Sequence, residues 1–182
     1  VASSKKKLKA VAAPELIKLD LGCGKNKKEG FFGVDSLKFD AVDLVYDLRK
    51  PWPWKDGSVD EVHCSHFIEH LTWPERVHFF NELYRVLRVE GKCTLILPHW
   101  ASSRYYGDPT HKEPFSEFAF YYLDKNWRDA NAPHVGYVCD FMATWGYSMH
   151  PSVVSRNQEY QQHAMQFFKE ACQDIIATLT KR

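Results

Sequence analysis

The sequence predicts one α/β domain, a mostly parallel seven-stranded sheet with helices on both faces and an antiparallel hairpin near its C-terminal end. Three observations predict it. Short apolar runs that stop at glycine, aspartate or proline recur through the first hundred residues, as buried strands do. Irregular or helical stretches separate them, the pattern of parallel strands joined by right-handed crossovers. The last third reads instead as two extended arms about Trp145-Gly146-Tyr147, a hairpin pattern.

Leu16 to Leu21 is the first strand and stops at Gly22. Phe31 to Val34 is the second, ending at Asp35, and Val42 to Tyr46 the third, ending at Asp47. Pro51 and Pro53 forbid regular structure, Asp56-Gly57 is a turn, and Val59 to Cys64 is the fourth strand. A helix follows. Pro74 suits its first turn; Val77, Phe80, Leu83, Tyr84 and Leu87 form one apolar face; Gly91 ends it. Cys93 to Leu97 is the fifth strand, stopped by Pro98. A long connection over 99–134, helical across Ser116 to Leu123, leads to hairpin arms at Val135–Ala143 and Ser148–Val154. Ala164, Phe168, Cys172, Ile175 and Leu179 recur at near-fours, which predicts a C-terminal helix over 157–181.

Composition bounds the function. A chain of 182 residues buries enough surface, about 70%, to need no disulfide or metal staple. Twenty-four basic residues against 23 acidic ones leave +1, no field to hold nucleic acid or an anionic membrane. No run approaches the ~18 apolar residues of a membrane span. The five cysteines are odd in number and lack a C-x-x-C pair, which reads as reduced, buried thiols in a cytoplasmic protein. Residues 1–13, with Lys5-Lys6-Lys7 and Lys9 but no apolar core, read as a flexible basic arm rather than a secretory signal. Residues 14–182 read as a single domain.

The chemistry concentrates where the first strand ends. Leu19-Asp20-Leu21-Gly22-Cys23-Gly24 closes a strand with an acid and then G-x-G, glycines that permit positive φ and close approach of a ligand. Open parallel sheets bind ligands beyond the carboxyl ends of their strands. Asp35, at the end of the second strand, is placed to accept hydrogen bonds from a ribose. Lys27 stands where a dinucleotide fingerprint needs its third glycine, so nicotinamide binding is disfavoured.

D-L-G-C-G at 20–24, G-V-D at 33–35, D-L at 47–48, S-V-D-E-V-H-C-S-H-F-I-E-H-L at 58–71 and E-L-Y-R-V-L-R-V-E-G-K at 82–92 resemble a class I S-adenosylmethionine-dependent methyltransferase. The likeness is to small bacterial or phage-type members similar to the ubiquinone and menaquinone methyltransferases, and covers about Leu16 to Pro98. It implies a Rossmann-like fold, S-adenosyl-L-methionine as cofactor and S-adenosyl-L-homocysteine as product. It also implies that Asp20 and the backbone of Gly22, Cys23 and Gly24 hold the amino-acid part, and that Asp35 binds the ribose. Asp47 and the Leu48 N–H would meet the adenine, with Ser65 and His66 near the sulfonium. Cys23 reads as a small filler of a tight turn, not a nucleophile. Glu69 and His70 read as structural.

Only ten residues separate Gly24 from Asp35, against a usual ~20 from the glycine turn to the acid. One wall of the cofactor site is therefore expected to be a loop or single turn. The connection over 99–134 is longer than a link requires and is expected to be a substrate lid. Trp100, Tyr105, Tyr106, Asp108 and His111 are its candidate acceptor-binding residues, and His111, then His66, the candidate bases. Ser65-His66-Phe67 after the fourth strand lacks the acid-Pro-Pro-aromatic pattern of enzymes that methylate DNA amines, and no Pro-Cys pair exists, so a small-molecule acceptor is expected. The alternatives are a cofactor-binding protein without turnover or a nucleic-acid methyltransferase. No metal site is expected, because His63 lies on a strand and His66 beyond its end, off any shared helix face, and His111 with Asp108 or His134 is no better than chance.

Overall fold

Leu19 and Leu21 alternate with Lys18 and Asp20 along β1 (Lys18–Leu21), so one face of the strand is apolar and the other polar. A computed structural model, which describes residues 16–182, extends that division across the whole sheet. The arm expected over 1–13 lies outside the described residues. The other strands are β2 (Phe32–Asp35), β3 (Leu44–Val45), β4 (Val59–Ser65), β5 (Leu87–Pro98), β6 (Phe141–Met149) and β7 (Cys172–Lys181). Their order is β3-β2-β1-β4-β5-β7-β6, with β7 antiparallel to both neighbours and the other pairs parallel.

Register explains the two faces. Val34, Leu21, Cys64, Leu95, Ala177 and Trp145 lie side by side in one row, and the first five are wholly buried. The next row, Gly33, Asp20, His63, Thr94, Thr178 and Thr144, belongs to the polar face. The helix α1 (Trp73–Val86) turns Arg76, Phe79, Phe80, Leu83 and Val86 inward, to the core shared with the apolar face. Pro74 lies in its first turn, and the Glu75 carboxylate accepts from the Thr72 N–H (2.7 Å) and hydroxyl (2.8 Å), closing the exposed helix start.

Several expected elements are corrected. The helix does not run to Gly91; it ends at Val86, and Leu87 pairs with Val59 as the first residue of β5. Arg88 to Gly91 then bulge out before Lys92 pairs with Glu61, and a Cβ at Gly91 would lie 2.7 Å from the Arg88 carbonyl. The hairpin about Trp145-Gly146-Tyr147 is one continuous strand, with Gly146 opposite Ile176. Its expected second arm becomes the short helix α4 (Pro151–Val154). The C-terminal helix covers only α5 (Gln158–Phe167), and 172–181 is β7. Ile175, Ala177 and Leu179 satisfy a period of two as well as the spacing read as helical, and the β-branched Ile175, Ile176, Thr178 and Thr180 favour the strand. The antiparallel edge is thus formed by β6 and β7 across α4 and α5. Of the helices expected on both faces, none joins β1 to β2, β2 to β3 or β3 to β4 among the described residues. These connections are short, or broken by Pro51 and Pro53. The last of them covers α1 with a buried Trp52, whose ring meets Phe79 edge-on at 5.4 Å.

The connection over 99–134 carries α2 (Ser103–Tyr106), a 3-10 helix at Glu117–Leu123 where a helical stretch was expected, and α3 (Lys125–Asn131). The same β3–β4 loop is tied to α1 by Glu82, which accepts from the Trp52 N–H (2.5 Å) and pairs with Arg85 (2.7 Å). The Arg85 hydrogen bond holds the Glu82 carboxyl below its ordinary value. A depressed folded pKa gives stability that is present above the unfolded value, about 4.3, and is lost as pH falls through the folded one. Urea midpoints measured from pH 5.5 down to 3 are expected to fall more steeply for the wild type than for Glu82→Gln. Parallel curves would remove Glu82 from the acid response.

Candidate active site

The glycine turn after β1 is built by positive φ at Gly22 (+70°) and Gly24 (+52°). Its amides are engaged within the protein. The Gly22 and Cys23 N–H groups donate to the Val34 carbonyl (2.8 and 3.2 Å), and the Gly24 N–H donates to Asp35 Oδ2 (2.9 Å). Asp20 is buried, with Oδ2 accepting from the Lys28 N–H (2.7 Å) and Oδ1 2.8 Å from His63 Nδ1. Its carboxylate therefore anchors the 22–31 loop, which is a series of turns, as the short spacing to Asp35 requires. Burial raises the Cys23 thiol to about 11, which leaves it a filler rather than a nucleophile. Above Gly24 an added Cβ would meet nothing among the described residues within 4 Å, but above Gly22 it would lie 2.5 Å from the Phe67 ring. Phe67 thus covers one end of the turn and leaves the other open.

Beside the ends of β2 and β3 lies a cleft of about 220 Å³, lined by Ser36, Tyr46, Asp47, Leu48, Phe67 and Leu71 among others. Asp35 precedes it. Its carboxylate accepts from Gly24 N–H and, through Oδ1, from Leu37 N–H (2.9 Å). A carboxylate has about four acceptor positions, so two remain. Asp47 is held by both arms of the Arg49 guanidinium (2.8 and 3.0 Å), a hydrogen-bonded pairing that lowers its carboxyl pKa. Leu48 is buried, and its carbonyl accepts from Trp52 Nε1 (2.9 Å).

Ser65 ends β4, and His66 follows in a left-handed conformation (φ +52°) with 45% of its side chain exposed. His66 Nδ1 lies 3.3 Å from Glu69 Oε1, and that carboxylate raises the imidazole pKa. His66 Nε2 is 4.0 Å from Asp174, which is paired with Arg104.

The residues of the expected lid scatter. Trp100 is half exposed and lines a second cavity, about 860 Å³, with His99, Glu117, Tyr147, Gln158, Gln162 and others. Tyr105 is buried against His111, the rings stacked at 5.3 Å, so it orders the 99–134 connection rather than presenting a face to a ligand. Tyr106 is 68% exposed. Asp108 takes the Thr110 N–H (2.8 Å) and hydroxyl (2.6 Å). His111 joins Glu69 and His70. The sequence reading missed Phe67, Arg76, Glu117 and the glutamines of α5. The glutamines carry a signal: Gln158, Gln161, Gln162 and Gln166 fall within one stripe of the helix, and Met165 joins them in lining the cavity.

Comparison places these features in a known frame. Residues 26–95 match the family described as a methyltransferase domain. No curated protein sequence matches the chain. Among solved structures, a SAM-dependent methyltransferase from Archaeoglobus fulgidus aligns over 91% of this chain and 86% of its own, at 18% identity and TM-score 0.65. The YcgJ protein of Bacillus subtilis covers 92% of each chain at 15% identity and TM-score 0.56. Geranyl diphosphate C-methyltransferase from Streptomyces coelicolor A3(2), determined with Mg2+, geranyl diphosphate and S-adenosyl-L-homocysteine, covers 95% of this chain and 76% of its own, at 14% identity and TM-score 0.57. At such identities these likenesses speak for the fold. With the sheet order, they give the chain the fold of these methyltransferases, and residues 26–95 within it match the methyltransferase-domain family.

Proposed function

We propose methyl transfer from S-adenosylmethionine to a nucleophilic nitrogen, oxygen or carbon of a small molecule held in the cavity beside Trp100. The observation that carries this reading is that cavity. It lies at the carboxyl end of β5, where Pro98 gives way to His99 and Trp100, and its volume of about 860 Å³ suits a small organic molecule. Aromatic rings and the glutamine amides of α5 line it, a surface for an acceptor with a flat or apolar body and several hydrogen-bonding groups. A net charge of +1 gives no support for nucleic acid. No helix of the described residues is long and apolar enough to cross a membrane. The five thiols are free and buried, in keeping with a reducing, cytoplasmic setting. The motifs after β1, β2 and β4 favour the small ubiquinone/menaquinone-like group with a short first crossover.

The residues present fit the cofactor's adenosine half. The two open acceptor positions of Asp35 suit ribose hydroxyls, and Asp47 and Leu48 flank the 220 Å³ cleft for the base. Asp20 serves by fixing the turn. The open side of the Gly24 turn leads toward the amino-acid end, and the Phe67 ring must swing off Gly22 to complete that path. S-adenosylmethionine supplies a sulfonium methyl already activated for transfer. The protein's part is therefore to hold the acceptor in line and exclude water. Ser65 and His66, at the end of β4, would lie beside that junction. His66 is the exposed imidazole of the two candidate bases, and His111 is mostly buried.

Phe67 over Gly22 and the engaged loop amides favour one second reading, a binding protein without turnover. Calorimetric titration with S-adenosylmethionine and S-adenosylhomocysteine, followed by a screen of amines, phenols and acids, separates the two. Binding with methylated product supports transfer. Binding with no product across the screen supports the second reading. No binding by the folded protein rejects both. With an acceptor in hand, Trp100→Ala is expected to raise its KM about 10-fold with kcat changed less, the signature of lost uniform binding. An unchanged KM would place the acceptor elsewhere.

A further inference from the structure

We propose that Glu69, His70 and His111 form a binding site for one divalent transition-metal cation. Glu69 and His70 lie in the 3-10 turn after β4, and His111 comes down from the lid. One ligand atom from each lies within 4.8 Å of the other two. Glu69 is 1% exposed, and neither of its carboxylate oxygens has a hydrogen-bond partner among the described residues. An ionised carboxylate so placed costs several kcal/mol unless a positive charge meets it.

The hydrogen bonds on the far sides of both imidazoles point the same way. The Thr110 hydroxyl donates its proton to Asp108 Oδ1 (2.6 Å), so at 3.0 Å from His70 Nδ1 it accepts. His111 Nδ1 lies 2.7 Å from the Tyr105 carbonyl, which only accepts. Both rings thus carry hydrogen on Nδ1 and offer the Nε2 lone pair. His111 Nε2 is 3.9 Å from Glu69 Oε1, too far for a hydrogen bond, so a lone pair and a carboxylate oxygen face each other across a gap. A cation in the gap satisfies all three groups. Imidazole ligands whose other nitrogen is fixed by a carbonyl or a carboxylate-linked hydroxyl are the usual support of a metal site.

Two imidazoles and one carboxylate favour zinc, iron(II) or nickel over magnesium or calcium. Zinc bound at ~2.0–2.1 Å would draw the three atoms in by about an ångström, a matter of side-chain rotation. Three protein ligands leave a position open. Asp108 Oδ2, also 3.9 Å from His111 Nε2, stands beside it on an exposed residue. His66 Nδ1 is the competitor for Glu69, at 3.3 Å and misaligned for a hydrogen bond.

The test is titration of the chelator-treated chain with Zn2+ alone, by calorimetry, and with Co2+, by visible absorption. The wild type is expected to take up one equivalent with micromolar or tighter affinity, to show cobalt bands of nitrogen ligation, and to keep both in excess Mg2+. Thermal unfolding is expected to shift upward on binding, because the cation joins lid to sheet edge. His70→Ala and Glu69→Gln should each weaken uptake about 100-fold or more, while His163→Ala, far along α5, should not. No uptake by the wild type overturns the site, and so does uptake retained in a folded His70→Ala. If the variants fail to fold, a wild-type cobalt spectrum without nitrogen ligation overturns it.

Discussion

Replacing Asp35 by alanine is expected to weaken binding of S-adenosylhomocysteine by about 10²- to 10⁴-fold. Two of the carboxylate's acceptor positions are taken by the Gly24 and Leu37 N–H groups, and two remain for ribose hydroxyls. Each hydrogen bond to a charged group contributes about 1.5–3 kcal/mol, and about 1.4 kcal/mol is tenfold in affinity. The same change frees the Gly24 amide, so the turn loosens as the proposed ribose anchor is lost. Asp35→Asn keeps the shape and one acceptor oxygen, and its loss should be smaller. Calorimetry on both variants, with circular dichroism to show that they fold, reads the difference. Unchanged affinity in a folded Asp35→Ala would move the cofactor away from the end of β2.

Arg76→Met is expected to cost about 2–5 kcal/mol of stability and to release the 99–134 connection, the proposed lid. Arg76 is 3% exposed on α1, and burial lowers its pKa. Its guanidinium donates to the carbonyls of Ile68 (3.0 Å), Pro114 (3.2 Å) and Glu113, and lies over the Phe115 ring at 5.6 Å. One side chain thus joins the helix, the turn that carries Glu69, and the segment that follows His111. Methionine fills much of the volume but leaves three carbonyls without their donor, each worth about 1–3 kcal/mol if it stays dry. Urea unfolding gives the energy, and hydrogen exchange over 112–120 shows whether the lid opens first. A loss below about 1 kcal/mol with unchanged exchange would mean that the lid is held by its own packing.

Local chemistry determined the first half of this protein. Apolar runs that stop at Gly22 and Asp35 fixed two strand ends, the run expected over Val42 to Tyr46 shortened to Leu44–Val45, and Pro74 with the Phe80–Leu83 spacing marked α1, because these signals act within a few residues. The ten residues between Gly24 and Asp35 already excluded a crossover helix. Only the tertiary structure decided the second half. Residues 172–181 satisfy helical and strand periods alike, and the open place between β5 and β6 made them a strand. Gly146 resembles a turn residue, yet the pairing of β6 with β7 carries the chain straight through it. The site divides in the same way. The residue types at the ends of β1, β2 and β3 marked the proposed cofactor side. The meeting of Glu69, His70 and His111, and the burial of Tyr105 against His111, depend on a lid some 40 residues away in sequence folding back onto the turn after β4. Contacts between distant segments leave no periodic trace in either one, so burial and register had to reveal them.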